Sequence, residues 1–268
     1  MTLSEAVKIL EDAGVPSPDY DARELFRFAE GLPFGALIQK SFSSDKADTI
    51  IERRRRREPL GYIIGEVGFF KEVYEVTPDV LIPRPDTEIL VEYAVKHIPK
   101  GESFLDLCTG SGCIAVSTLA NTADTTAVAV DISEGALSVA KRNALRAGVK
   151  NRISFIQADL MSKELPDGEF FAVLSNPPYV TDGEYKALEP EIYEEPRSAF
   201  IGGADGLDFY KRLLPLSLER LKTGGFIAFE IGAYQAHALL ELAGEFSLDC
   251  EILRDYSGMD RVAVIRRK

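Results

Sequence analysis

The sequence predicts an α/β fold: a doubly wound sheet, mostly parallel with one antiparallel strand, behind a small N-terminal helical domain. Three observations carry this. From residue 101 onward, apolar strand-like runs alternate with helical patterns, the signature of a parallel sheet covered on both faces. The last two strand-like runs are separated only by Tyr256 to Asp260, too short for a parallel crossover, so one of them runs antiparallel. Residues 1–60 read as helices.

In chain order, Leu3, Ala6, Val7 and Leu10 fall at helical spacing and Gly14 ends that segment. A second helix runs near Asp21 to Glu30, with Leu25, Phe26 and Phe28 apolar and Gly31 as its stop. A third runs near Ser44 to Glu58, contains Arg53 to Arg57, and is closed by Pro59. Five arginines cover more than one helical turn, so they are expected mostly in solvent; the other reading is a contact surface for an acidic partner, or for RNA bound to that partner. Residues 66–82 alternate apolar and polar around Lys71-Glu72 as a hairpin does. The domain boundary falls there: a helical domain over 1–65, a hairpin linker over 66–82 and a second domain over 83–268.

Pro83-Arg84-Pro85-Asp86 is extended, because each proline biases its predecessor away from helix. Asp86 is placed to cap the helix EILVEYAVKHI, with Glu88 at its positive end. Then come the strand SFLDLC and helix GCIAVSTLA, the strand TAVAVDI and a helix ending at Gly148, and the strands ISFIQAD and FFAVLSN. A helix around Gly206–Leu221, the turn Thr223-Gly224-Gly225, the strand FIAFEI, the helix AYQAHALLELAG and two closing strands complete the chain.

Composition narrows the function classes. The 268 residues are 46% hydrophobic, enough to bury a sizeable core. No stretch approaches the roughly 18 apolar residues of a membrane helix, and the amphipathic, acid-containing N-terminus is not a signal peptide. A cytoplasmic protein without a membrane partner is expected. Three scattered cysteines argue against a disulfide framework, and two unclustered histidines against a metal site. The net charge of −12 is uneven. Residues 1–65 hold 10 basic and 11 acidic residues, about −1, and the remainder 21 and 32, which is −11. So acidic a domain repels phosphate backbones, and no direct nucleic-acid target is expected.

The chemistry concentrates at strand ends. Asp106-Leu107-Cys108-Thr109-Gly110-Ser111-Gly112-Cys113 is a glycine-rich turn between a strand and a helix, where backbone approaches a ligand closely and free N–H groups face an anion. Cys108, Thr109, Gly110, Ser111 and Gly112 are the candidate cofactor contacts here. Gly110 to Ala115 fits the GxGxxA form of a nucleoside-cofactor fingerprint. Asp131, 19 residues after Gly112, ends the second strand, where an acid accepts from two ribose hydroxyls. This half of the pattern allows both a nicotinamide dinucleotide and S-adenosylmethionine. Asp159-Leu160 ends the third strand, at the position that would face an adenine ring.

The fourth strand ends Ser175-Asn176-Pro177-Pro178-Tyr179, beside the cofactor in an open α/β sheet. An amide nitrogen is a weak nucleophile whose two N–H bonds have to be held. The Asn176 side-chain oxygen and the Pro177 carbonyl offer the two acceptors. The prolines stiffen the loop without competing donors, and Tyr179 offers a flat face to a planar target. Positioning of this kind supplies rate without a general base. Asn176, Pro177 and Tyr179 are the candidate catalytic residues, and Asn176 also offers donors to the cofactor.

The order DLCTGSGCIA, AVDIS, ADL, SNPPYV resembles the class I (Rossmann-like) methyltransferases that carry an (Asp/Asn)-Pro-Pro-(Tyr/Phe) motif. Within them, GEVGFF, Leu81-Ile82-Pro83-Arg84-Pro85-Asp86-Thr87-Glu88, the run from Glu194 to Leu207, EIGAYQ and DYSGMDRV resemble the HemK/PrmC family. The resemblance covers roughly residues 55–268. It implies S-adenosylmethionine as cofactor, and methylation of the glutamine of the Gly-Gly-Gln loop in peptide chain release factors. It also implies a helical N-terminal domain that helps hold that partner, and a substrate side formed by Asn176, Pro177, Pro178 and Tyr179 with Phe69 and Arg84. One departure is Cys108, where the family often has glycine. The rival is a DNA or RNA adenine amino-methyltransferase, since an adenine amine suits the same tetrapeptide. Against it, residues 182–208 carry eight acids and only Lys186 and Arg197 as cations.

Overall fold

The structure, a computed structural model, describes residues 1–33 and 36–267; Phe34, Gly35 and Lys268 lie outside it. The chain divides into two compact units: Met1–Val67 with Glu189–Glu194, and Gly68–Leu188 with Glu195–Lys268.

The first unit is helical: α1 (Leu3–Asp12), α2 (Pro18–Ala29), α3 (Asp48–Arg55) and α4 (Leu60–Ile64). A capping box opens α1, with the Glu5 N–H donating to Thr2 Oγ1 and the Thr2 N–H to Glu5 Oε2. Leu3, Leu10, Leu25, Phe26, Ile51 and Ile63 share one apolar core. The short α4 is absent from the sequence reading, which ends the helix at Pro59.

The arginine run is solvated at Arg53, Arg55 and Arg56, as expected, but not at Arg54 and Arg57. The α3 helix stops at Arg55, and Arg57 turns into the left-handed region at φ 69°. Arg54 is 4% exposed and sits between Asp21 at 2.7 Å and Glu191 at 2.8 Å. Arg57 holds Glu191 at 2.6 Å and Glu189 at 2.8 Å. Arg55 and Arg56 pair with Glu52 at the surface, and Arg53 with Glu58. Two of the five are thus consumed in fixing an acidic segment distant in sequence. Composition alone gave no sign of that, because the acids lie more than a hundred residues away.

A hairpin of β1 (Glu66–Phe69) and β2 (Glu72–Glu75) follows. A 3-10 turn over Pro85–Thr87 leads into α5 (Glu88–His97). This overturns the expected cap. The extra turn makes Thr87 the N-cap, and Asp86 instead pairs with Arg261 at 3.3 Å. Glu88 accepts the Phe70 N–H at 2.8 Å.

The alternation then runs β3 (Ser103–Leu107), α6 (Cys113–Ala120), β4 (Thr126–Asp131), α7 (Glu134–Arg146), β5 (Ile153–Gln157), β6 (Phe170–Ser175), α8 (Asp182–Tyr185), α9 (Asp208–Arg220), β7 (Leu221–Glu230), α10 (Ala236–Glu245), β8 (Leu248–Arg254) and β9 (Asp260–Arg267). Among the described residues, seven strands form one sheet in the order β5-β4-β3-β6-β7-β9-β8. All pairs from β5 to β7 are parallel, and β9 runs antiparallel to both neighbours. The antiparallel strand argued from the short Tyr256–Asp260 turn is β9. Leu105, Leu107, Val173, Ile227 and Phe229 anchor the core on one side of the sheet with Tyr210 and Leu213 of α9. Strand order reverses between β3 and β6, and that switch point opens a crevice beyond the strands' carboxyl ends.

Candidate active site

The crevice is a cavity of about 400 Å³ within the second unit, in the range of small-molecule sites. Its wall is built from the ends of β3 (Cys108, Gly110), β4 (Asp131, Ile132, Ser133), the β5 end (Ala158 to Met161) and the loop after β6 (Asn176, Pro178).

The glycine turn follows from its residues. Gly112 caps α6 at φ 82°, and a Cβ there would stand 3.0 Å from the Ala140 Cβ on α7. It therefore lets two helices pack. Gly110, one step nearer the cavity, has open space where a Cβ would be. Its N–H donates to Asp131 Oδ2 at 2.8 Å, while Asp131 Oδ1 accepts from the Ser133 N–H at 2.9 Å. Each carboxylate oxygen keeps a lone-pair site for a ligand hydroxyl. Burial pushes the Asp131 carboxyl upward, opposed by the N–H groups of Ser133, Gly110 and Ile132.

Thr109 and Ser111 are buried and support the turn: the Thr109 hydroxyl donates to Asp106 Oδ2 at 2.5 Å, and the Ser111 carbonyl accepts from Asn143. Asp106 is fully buried, its carboxyl is pushed up to about 7 by desolvation, and its Oδ1 has no hydrogen-bond partner among the described residues. Cys108 lines the cavity with its backbone at φ 58°. Burial pushes its thiol upward, so it stays neutral.

Asp159 and Leu160 are both on the cavity wall. Asp159 also caps its own loop, accepting from the Met161 N–H at 3.0 Å and Ser162 Oγ at 2.9 Å. Asn176 and Pro178 are cavity-lining as well, whereas Pro177 is buried and not part of the lining. The Asn176 Nδ2 donates to Thr87 Oγ1 at 3.3 Å, and Tyr179 donates its hydroxyl to Glu230 Oε1 at 3.2 Å. Arg84 forms an ion pair with Glu195, whose other oxygen accepts the Ile82 N–H at 2.9 Å. Phe69 is 2% exposed and packs edge-on against Tyr74 at 5.8 Å; the strand alternation turns it inward, off the cavity wall.

The two motifs further along brace the Asn-Pro-Pro-Tyr loop. Val180 and Ile201 form a bridge, and a Cβ at Gly206 would lie 2.4 Å from the Tyr179 carbonyl, so only glycine lets that backbone approach. Gln235 Nε2 donates to the Tyr179 and Gly206 carbonyls at 3.1 and 3.2 Å. Sequence reasoning missed Asp79 to Leu81 and Ile132 on the cavity wall, and Thr87 and Glu230 behind it. Leu81 and Ile132 stand inside sequence motifs without a role assigned to their side chains, Asp79 and Val80 stand just before one, and the buried pair becomes adjacent only through the fold.

Residues 2–65 match the family model described as PrmC N-terminal domain, and residues 85–199 that described as Methyltransferase small domain. The release factor glutamine methyltransferase of Geobacter sulfurreducens is 41% identical over 215 residues, 80% of this chain and 75% of that protein. That of Caulobacter vibrioides is 37% identical over 267 residues, 95% and 91% of the two chains. Among solved structures, a methyltransferase from Pyrococcus furiosus superposes with a TM-score of 0.55 at 19% identity, over 72% of this chain and 86% of that one, and shares the fold. The sheet is thus that of the class I methyltransferases. No helix among the described residues is long and apolar enough to cross a membrane. With domain models matched over residues 2–65 and 85–199 and relatives aligned over nearly its whole length, the chain belongs to the release factor glutamine methyltransferase family.

Proposed function

We propose that this protein transfers a methyl group from S-adenosylmethionine to the side-chain amide nitrogen of the glutamine in the Gly-Gly-Gln loop of peptide chain release factors. The observation that carries the reading is the sharing of one cavity wall by Asp131 and Asn176, a ribose acceptor and an amide acceptor.

The wall chemistry fits S-adenosylmethionine. Asp131 presents both oxygens to vicinal hydroxyls, Ala158 and Leu160 give an apolar face for a purine, and Asp159 is beside them as an acceptor. Gly110 leaves its backbone open to the ligand. When bound, S-adenosylmethionine supplies an electrophilic methyl group on a sulfonium centre. The protein's part is to hold the weak nucleophile. Asn176 Oδ1 accepts one N–H of the target amide and the Pro177 carbonyl the other, so that the nitrogen faces the methyl group. Tyr179 covers the planar target with its ring. Both acceptors carry partial negative charge and stabilise the positive charge that develops on the nitrogen. After transfer the surplus proton leaves to solvent, so the scheme needs no general base.

On this reading residues 1–65 recognise the release factor, and Arg84, held by Glu195 and outside the cavity lining, belongs to the substrate side. Phe69 acts only through the packing it supports. A release factor is a component of translation, and the reading therefore puts the enzyme in the cytoplasm. The acidic character of residues 182–208 disfavours a nucleic-acid target. The test is transfer of radiolabelled methyl to purified release factor, with a factor lacking that glutamine as control. Label on the intact factor alone supports the reading; label on neither, or on both equally, overturns it.

A further inference from the structure

Behind the Asn-Pro-Pro-Tyr loop lies a buried carboxylate that the chemistry above does not use. Glu230, at the end of β7, is 1% exposed. Its Oε2 accepts from Thr87 Oγ1 at 2.6 Å and its Oε1 from the Tyr179 hydroxyl at 3.2 Å. Thr87 in turn accepts from Asn176 Nδ2 at 3.3 Å. One carboxylate thus sits under both side chains that would meet the target amide, from a position 143 residues away from Thr87 in sequence.

The direction of these bonds follows from the chemistry of the groups. An ionised carboxylate only accepts. The single hydroxyl proton of Thr87 is therefore spent on Glu230, and Thr87 meets Asn176 with lone pairs alone. A lone pair recruits the Nδ2 end of the Asn176 amide and turns the Oδ1 end away. The same acceptor holds the Tyr179 hydroxyl, and with it the plane of the ring. We propose that Glu230 is a positioning residue that sets the orientation of the Asn176 amide through Thr87, and anchors Tyr179, so that the loop presents an oxygen to the N–H of its target. This inference rests on the proposed function for its consequence in turnover, but not for its consequence in the free enzyme.

The charge state of Glu230 matters to this device. Burial pushes its carboxyl up to about 7, against the pull of the Thr87 and Tyr179 hydroxyls and of Arg261. The titratable and charged groups facing it are Tyr179 from the loop, Arg261 from β9, Asp86 from the 3-10 turn, Tyr210 from α9 and Cys113 from α6. Once protonated, Glu230 has a donor of its own and no longer dictates the direction of the Thr87 hydroxyl. Turnover should therefore fall as the pH drops through about 7.

The test has two arms. In the cofactor-free protein, the side-chain amide resonance of Asn176, identified by its loss in Asn176→Asp, should shift with an apparent pKa near 7. In Glu230→Gln that titration should vanish. A resonance that does not titrate in wild type overturns the inference, whether or not the enzyme methylates release factor. In the second arm, Glu230→Gln and Thr87→Val should each lower turnover on release factor roughly 10- to 100-fold, the scale of a small misplacement of a reacting group. Thr87→Ser, which keeps the hydroxyl, should stay within about threefold of wild type. The double variant should be no worse than Glu230→Gln alone, since that change already cuts both the relay through Thr87 and the anchor of Tyr179. S-adenosylmethionine affinity by calorimetry should change far less than turnover, because neither residue lines the cavity and only the Asn176 amide links them to it. Wild-type turnover in Thr87→Val overturns the inference even if Glu230→Gln does not fold. A wild-type enzyme that leaves release factor unmethylated overturns the functional reading, and the resonance titration then judges the positioning role alone.

Discussion

Asp131 Oδ2 accepts the Gly110 backbone N–H at 2.8 Å, so the acid that ends β4 holds down the glycine turn that follows β3. On the proposed function, a ligand contact and a structural tether reside in one side chain. Asp131→Ala removes both, and should weaken S-adenosylmethionine binding by about 1.5–3 kcal/mol, the scale of lost hydrogen bonds to a charged group. Asp131→Asn, which keeps one acceptor, should fall in between. Because burial raises the Asp131 pKa, the ionised acceptor is lost as pH falls through that raised value, and wild-type affinity should weaken in the same direction. Calorimetry across a pH series checks this; equal affinity in wild type and Asp131→Ala would remove the residue from the site.

Cys108 stands on the cavity wall with φ at 58°, a conformation that side chains other than glycine adopt at a cost of about 1–3 kcal/mol. A glycine at this position would have a backbone reason. Cys108→Gly should leave stability equal or higher, the relieved strain offsetting about 0.5–1 kcal/mol of extra chain entropy. Cys108→Val, with a branched Cβ, should lose about 2 kcal/mol. Urea midpoints decide this. A stable Cys108→Val beside a destabilised Cys108→Gly would show that the thiol's packing outweighs the backbone.

Asp106 gives a pH signature. Its carboxyl titrates at about 7 in the folded protein and near 3.9 in an unfolded chain. Between those values the folded state holds a proton that the unfolded state has lost. This contribution is therefore fully present below about 3.9 and disappears as pH rises to about 7, at about 1.4 kcal/mol per pH unit. Asp106→Asn cannot titrate. Its stability relative to wild type should rise by a few kcal/mol between pH 4 and pH 7 and then level off. Denaturation at several pH values measures the difference, and a difference independent of pH would contradict the buried, protonated state.

The alternating sheet was readable because buried parallel strands are continuous apolar runs, as in Phe170–Leu174, bounded by glycines and acids. The antiparallel β9 was readable because chain length forbids a crossover over Tyr256–Asp260. Readability ended wherever a side chain's partner came from far away. Asp86 looked like a helix cap until Arg261 claimed it, and Arg54 and Arg57 looked solvated with the rest of their run until Asp21, Glu189 and Glu191 met them. The glycine turn was legible as a turn, but its division of labour was not: Gly112 serves helix packing and Gly110 faces the open side. Asp79 to Leu81 reach the cavity from the end of the hairpin pattern, where alternation marks a strand and says nothing of a ligand contact.

The central claim, that the Asn-Pro-Pro-Tyr loop holds an amide nitrogen in line for methylation, is tested most directly by the turnover of Asn176→Ala on release factor. The substitution removes the amide acceptor while Pro177 and Pro178 keep the loop stiff, and Asn176 sits at a strand end, half-exposed, so the fold should survive. Turnover should drop roughly 100-fold or more, the loss seen when one preorganised polar group leaves an active site. The melting temperature should stay within a few degrees of wild type, about the shift a 1 kcal/mol change gives in a chain of this size. Turnover near the wild-type rate in a folded Asn176→Ala would mean that some other group positions the nitrogen, and the mechanism would be wrong.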